Sequence, residues 1–265
     1  MPTRFLDRYI NHNSHIHRLD PRVKVVATTL FILSNVLLPD GTWPAFLLAW
    51  ASVLGVSQLS KLGLGFALKR SFIVLPFVLV AITVPFTMPG EPVFSFSLGP
   101  WQLQAGDVGL LRFLSIVVRG WLSVQMAILL TATTQFPDLM HALHHLRLPR
   151  LLVAVISFMY RYLFLLVEEA ERLLQARQAR SAQLEPGHPS GGSIPWRAKV
   201  AGHMVGQLFL RSYERSDRVY NAMLARGFGS QFLTLNPHVM RSQDWLALGL
   251  TGAALLLIQI VGQLA

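Results

Sequence analysis

Apolar runs approaching the ~20 residues a helix needs to cross a bilayer recur along this chain, at residues 23–38, 43–59, 72–88, 110–134 and 245–264. Only 14% of the 265 residues are charged and 52% are hydrophobic, with a mean hydropathy of +0.46. Soluble domains carry roughly 25% charged residues. The composition therefore fits an all-α polytopic membrane protein and excludes disordered, collagenous and disulfide-rich chains. The absence of cysteine excludes a thiolate nucleophile and a Cys-ligated zinc site. Residues 1–24 are polar and contain no apolar h-region, so no cleavable signal peptide is expected.

Pro39-Asp40-Gly41-Thr42 is a turn sequence that folds the first two runs into a helical hairpin. Between the third and fourth runs, residues 93–98 alternate apolar and polar, turn at Gly99-Pro100 and resume at Trp101-Gln102-Leu103. That is the pattern of a small exposed β-hairpin within 89–107. A sixth stretch, 151–167, is also apolar enough to span, but with the N-terminus inside its crossing would put every cation from Arg172 to Arg241 outside. Lying along the membrane or packed in a cytoplasmic module, it leaves five spans. The Lys/Arg count is then 5 in residues 1–24, 3 in 59–70, 13 in 135–244, 2 inside the fourth span and none outside. The positive-inside rule favours that arrangement and accounts for the net charge of +10 without nucleic acid. The expected organisation is a cytoplasmic segment (1–24), four transmembrane helices with an external hairpin near 90–107 (25–134), a cytoplasmic three-helix module (135–242) and a C-terminal span (243–265).

Within the module, Phe136, Leu139, Met140, Leu143 and Leu146 form one apolar stripe between the start signal Pro137-Asp138 and the stop Pro149, as in a short amphipathic helix. A second helix begins after Leu148-Pro149, is apolar to Val167, turns charged over 168–183 and ends in a flexible linker at 185–193. The third runs from about Pro195 to Arg226, with Gly227 and Gly229 as stop signals. On it Ala198, Gly202 and Gly206 recur every fourth residue, a spacing that admits a closely crossing helix or arises by chance among 19 glycines.

The chemistry present is sparse. No Gly-x4-Gly-Lys-Ser/Thr loop exists to cradle ATP, and there is no His-Glu-x-x-His. The five spans contain no Asp or Glu, whereas a proton-driven carrier usually places an acid there. Arg112 and Arg119 share one face of the fourth span, where they either snorkel or pair with backbone near the inner side, or contact a partner subunit. His12, His15 and His17, and again His141, His144 and His145, have spacings that could hold a metal. Only Asp20 and Asp138 stand nearby to complete a set, which favours structural or solvated histidines. Ala179-Arg180-Ser181 and Ala225-Arg226-Gly227 each close a helix with an arginine between small residues. Such an arginine can enter a partner's groove and fork onto a carboxylate, or it can simply complement the helix dipole.

At these residues the chain resembles the transmembrane T component of an energy-coupling factor (ECF) transporter. Ser14-His15-Ile16-His17-Arg18-Leu19-Asp20-Pro21-Arg22-Val23-Lys24 is similar to the family's approach to its first span. Glu168-Glu169-Ala170-Glu171-Arg172 leading to Ala179-Arg180-Ser181 resembles its first Ala-Arg-Gly-type motif, and Asn221 to Gly229 its second. Leu148-Pro149-Arg150 and Met159-Tyr160-Arg161-Tyr162-Leu163-Phe164 look most like the cobalt-type CbiQ branch, with nickel-type relatives close to it. The first motif departs in ending at Ser181, and Arg177 repeats Ala-Arg three residues before Arg180, so either arginine can make the main contact.

The resemblance implies a multi-pass protein of the cytoplasmic (inner) membrane, N-terminus inside, without catalytic residues, cofactor or metal site of its own. Its coupling helices would dock on two ATP-binding cassette ATPases through Ala179, Arg180, Ser181, Ala225, Arg226 and Gly227. Its membrane helices would hold a substrate-capturing, CbiM-like S subunit in an ATP-driven cobalt, or nickel, uptake system that supplies cobalamin biosynthesis. The alternatives are a T component for another substrate such as a vitamin, a stand-alone secondary permease, and a histidine-dependent membrane enzyme.

Overall fold

In the computed structural model of the chain, residues 9, 10, 12–87, 92–98, 101–180, 193–228 and 240–264 are described, with backbone alone at 64, 92–98 and 101–105. A single helical turn, α1 (His15–Arg18), precedes α2 (Pro21–Leu37) and α3 (Trp43–Leu59). Asp20 caps α2 by accepting from Arg22 N at 2.8 Å, and Pro21 sits at the first helical position, where no intrahelical N–H is needed. The third apolar run is segmented into α4 (Leu64–Arg70), a 3-10 turn (Ser71–Val74), α5 (Leu75–Ala81) and α6 (Val84–Thr87). Pro76 and Pro85 each remove an N–H from that path and interrupt a continuous ladder. Next come an antiparallel hairpin of β1 (Pro92–Leu98) and β2 (Trp101–Gly106), in register Phe96 to Leu103, and then α7 (Asp107–Thr133) and α8 (Phe136–His145). The chain ends with α9 (Arg150–Arg180), α10 (Ile194–Ala225) and α11 (Ser242–Leu264).

Gly65–Thr87, Asp107–Thr133, Arg150–Arg180 and Ser242–Leu264 are long and apolar enough to cross a membrane among the described residues, and Trp43–Leu59 is a shorter apolar helix. The protein is an all-α polytopic membrane protein carrying one small β-hairpin. Contacts divide it into two compact units, 1–148 with 238–265, and 149–237.

In the first unit Phe31, Phe46, Val53, Leu122, Leu129 and Ile258 are buried where α2, α3, α7 and α11 meet. Lipid tails are as apolar as leucine, so helices in a membrane associate through close packing and interhelical hydrogen bonds. Asn35 Nδ2 donates to Arg119 O at 2.9 Å and Ser123 Oγ at 3.0 Å, tying α2 to α7. Gln259 Nε2 donates to Ser34 O at 2.6 Å and Ser34 Oγ at 2.8 Å, tying α11 to α2. Trp121 Nε1 donates to Ser71 Oγ at 2.8 Å and holds the 3-10 turn against α7.

The turn after α2 is clasped to α7. Gly41 adopts φ +85°, a left-handed conformation suited to glycine, and its N–H donates to Ser115 Oγ at 3.0 Å. Arg119 donates to Leu38 O at 2.6 Å and to Asp40 Oδ1 at 2.7 Å, while Arg112 Nε lies 3.7 Å from Asp40 Oδ2. The two arginines thus reach the α2–α3 turn, and Arg119 pairs with backbone there, one of the roles that the sequence left open. Asp40, remote in sequence, supplies the counter-charge.

Small residues set the closest helix approaches. A Cβ on Gly109 would stand 2.9 Å from Pro85 Cα and 3.0 Å from Pro85 O, both backbone, whereas one on Gly120 of the same helix would meet nothing within 4 Å. Gly109→Ala is expected to push α6 from α7 at a cost of about 1–3 kcal/mol and to lower the melting temperature in detergent, with Gly120→Ala neutral. Equal melting of the two variants would contradict this packing.

Candidate coupling surface

The second unit is a crossed pair of long helices. Tyr162 and Phe158 near the start of α9 face Met223 and Phe228 at the end of α10 across an apolar groove of about 430 Å³, and Leu173 and Arg180 of α9 line a second groove with Trp196 and Met204 of α10. The helices are therefore antiparallel. At the crossing Arg211 of α10 pairs with Glu169 of α9, whose carboxylate also lies 3.5 Å from Arg172. The hydrogen bond from Arg211 holds the Glu169 carboxyl below its usual range, opposed by burial and reinforced by the charges of Arg211, Arg172 and Arg215. Neither sequence pattern nor spacing announced this pair, because its members lie 42 residues apart.

The arginine triplets lie at opposite ends of the pair. From the crossing, Arg180 is about 17 Å along α9 and Arg226 about 23 Å along α10 at a rise of 1.5 Å per residue. Arg226 is the C-cap residue. Gly227 follows at φ +73° and donates to Leu224 O at 2.9 Å, and Phe228 N donates to Met223 O at 3.0 Å. These two bonds make a Schellman cap, with Phe228 beside Met223 in the apolar groove. The cap explains the order Arg-Gly-Phe: glycine supplies the left-handed residue, phenylalanine anchors it, and the arginine is left at the exposed tip. Ala179, Arg180, Ala225, Arg226 and Gly227 are exposed and Arg177 is half-buried. Among the described residues neither the Arg180 nor the Arg226 guanidinium has a partner. Ser181 and most of the 185–193 linker lie outside the described residues.

Gly202 and Gly206 are exposed and would meet nothing with an added Cβ, so the small-residue stripe has no packing partner among the described residues of its unit. The histidine sets are placed as follows. His17 Nε2 is 3.0 Å from Ile10 O, which can only accept, so Nε2 carries the hydrogen. Nδ1 then accepts from Ser14 Oγ at 2.7 Å. His141 Nε2 is 3.4 Å from Arg22 Nη2, and His145 Nδ1 donates to His141 O at 3.1 Å. No group of three or more His, Asp or Glu side chains able to hold a metal ion forms among the described residues.

A multi-pass helical membrane subunit with an inserted basic helix pair is the class that this fold and surface define. The family described as CbiQ, cobalt transport protein, matches residues 12–235, and the chain belongs to it and with it to the transmembrane components of energy-coupling factor transporters. Three relatives illustrate the match. The energy-coupling factor transporter transmembrane protein EcfT of Thermanaerovibrio acidaminovorans is 30% identical over 258 residues, 92% of this chain and 91% of that protein. EcfT of Lacticaseibacillus paracasei is 29% identical over 268 residues, covering 95% and 97%. An uncharacterized protein of Methanocaldococcus jannaschii is 26% identical over 244 residues, covering 90% and 78%.

Burial pushes the His17 imidazole below its ordinary value of 6.5, with the nearby charges of Lys24 and His12 acting the same way and the bond to Ile10 opposing them. The neutral ring's contribution to stability is complete above 6.5 and is lost as pH falls through 6.5 toward the lower folded value, since the unfolded imidazole protonates first. In histidine-labelled protein the His17 NMR titration is expected to have its midpoint below 6.5. A midpoint above that value would contradict the partial burial of the ring.

Proposed function

We propose that this chain is the membrane scaffold and energy-coupling subunit of an ATP-driven metal uptake transporter of the ECF type, with cobalt, and nickel as its near equivalent, as cargo. The observation that carries the proposal is the pair of exposed arginines, Arg180 and Arg226, each without a guanidinium partner among the described residues and presented at opposite ends of one crossed helix pair. Two tips suit two copies of a partner. A guanidinium between small residues enters a groove and grips a carboxylate with two parallel bonds. We assign Ala179, Arg180, Ser181, Ala225, Arg226 and Gly227 to docking on two ATP-binding cassette ATPases, with Arg177 beside the first contact. The cobalt assignment is supported by the family's description, and cargo capture falls to a separate CbiM-like membrane subunit.

In this reading the N-terminus and residues 135–242 are cytoplasmic and the C-terminus is outside, in the inner membrane. ATP hydrolysis belongs to the partners, and this chain has no catalytic role. The support is the Lys/Arg distribution, 13 in 135–244 against none in the outer segments. Although α9 has the length and composition of a span, crossing would expose most of those charges outside. Single cysteines at Ser95 and Ser190 are expected to label from opposite sides with an impermeant thiol reagent. Labelling of both from outside would make α9 a span.

The docking contact is tested by Arg180→Ala and Arg226→Ala. Losing one partner of a buried, hydrogen-bonded charge pair costs ~2–5 kcal/mol, or roughly 30-fold to several thousandfold in affinity. Each variant is expected to insert normally and bind ATPase more weakly, and the double variant to abolish uptake. Wild-type ATPase recovery with the double variant would overturn the assignment.

A further inference from the structure

The module 149–237 is inserted into the membrane bundle through two chain connections, one following α7 and α8, the other preceding α11. Both connections start from a single buried polar knot. Lys24, 8% exposed in the second turn of α2, donates to Thr133 O at 3.1 Å, one of the last carbonyls of α7, which the helix itself leaves unpaired. It also donates to His17 O at 3.1 Å. Ile10 N donates to Ala132 O at 3.1 Å, so the N-terminal strap and α2 together hold the end of α7 from which α8 departs. Arg22 of α2 reaches His141 of α8 at 3.4 Å.

The second connection is fixed by Asp244, 4% exposed in the first turn of α11. One of its oxygens accepts from Arg241 N at 2.8 Å, closing the start of α11 in capping-box fashion. The other accepts from Asp20 N at 2.9 Å. Asp20 is the residue that caps α2. One short segment, Asp20 to Lys24, therefore grips both roots of the inserted module, through buried charges whose geometry is costly to break.

We propose that Lys24 and Asp244 are positioning residues for energy coupling, fixing the two roots of the α9–α10 module so that movement imposed on it is delivered to α7 and α11 rather than lost in slack. This rests on the reading of the module as the ATPase-docking element. Asp40 supplies the comparison, because it clasps α2 to α7 by ion pairs remote from either root.

The experiment uses the full complex of this chain, its ATPases and the capturing membrane subunit in proteoliposomes, with Co²⁺ as probe. Complex recovery, ATP hydrolysis and Co²⁺ accumulated per ATP are measured. Lys24→Met and Asp244→Asn are expected to assemble and hydrolyse ATP while Co²⁺ per ATP falls about tenfold. Asp40→Asn is expected to lower thermal stability and leave that ratio unchanged. Asp244→Asn keeps the side-chain volume and one acceptor, and decides the matter if Lys24→Met does not accumulate. An unchanged ratio in Asp244→Asn, its failure to assemble, or an equal loss of ratio in Asp40→Asn would each overturn the proposal. Failure of the wild-type chain to gather ATPases is a different result, which removes the docking reading itself.

Discussion

Hydrogen bonds tie α2 and the turn that follows it to α7 near both ends of α2, and the remainder of the membrane unit is arranged around that pair. Lys24 meets the Thr133 carbonyl at the end of α7, Asn35 crosses to Arg119 O in the body of α7, and Asp40 meets Arg119 and Arg112 at the turn. Hydrocarbon offers no partner for a stray polar group and no gain from burying leucine against leucine. Polar side chains that find one another are therefore what select one packing of these helices over others. α11 joins through Gln259 and through Gly262, where a Cβ would fall 2.4 Å from Leu38 Cδ2.

The second unit is built on a different principle. Its helices are held by a surface ion pair at the crossing and an apolar groove on one side, and leave much of their surface uncovered, including Leu151 (74%) and Val205 (66%). Apolar residues left open in this number belong to a piece that completes itself with lipid or partner subunits. The Schellman cap holds Arg226 at a tip, where its guanidinium has no partner among the described residues.

Much of this was legible in the sequence because it is local. Pro39 to Thr42 announced the turn, the alternation over 93–98 the hairpin, Pro137-Asp138 the start of α8, and Gly227 the end of α10. Runs of apolar residues located the helices to within a few positions. What escaped depends on partners remote in sequence. Arg112 and Arg119 share a face by spacing, but nothing local shows that Asp40, in the turn after α2, pairs with both. Nothing in the sequence signals that Asp244 accepts from Asp20 N or that Lys24 donates to Thr133 O. The third run looked continuous by hydropathy, although Pro76 and Pro85 were visible as breakers and do segment it.

The central claim, a subunit that couples without capturing or hydrolysing, is tested most directly in proteoliposomes holding this chain alone or with its partners. The account predicts no ATP hydrolysis and no Co²⁺ accumulation from the chain alone, and ATP-dependent accumulation once ATPases and the capturing membrane subunit are added. Substrate accumulation by the purified chain alone, driven by an ion gradient, would contradict it and make the protein a permease in its own right.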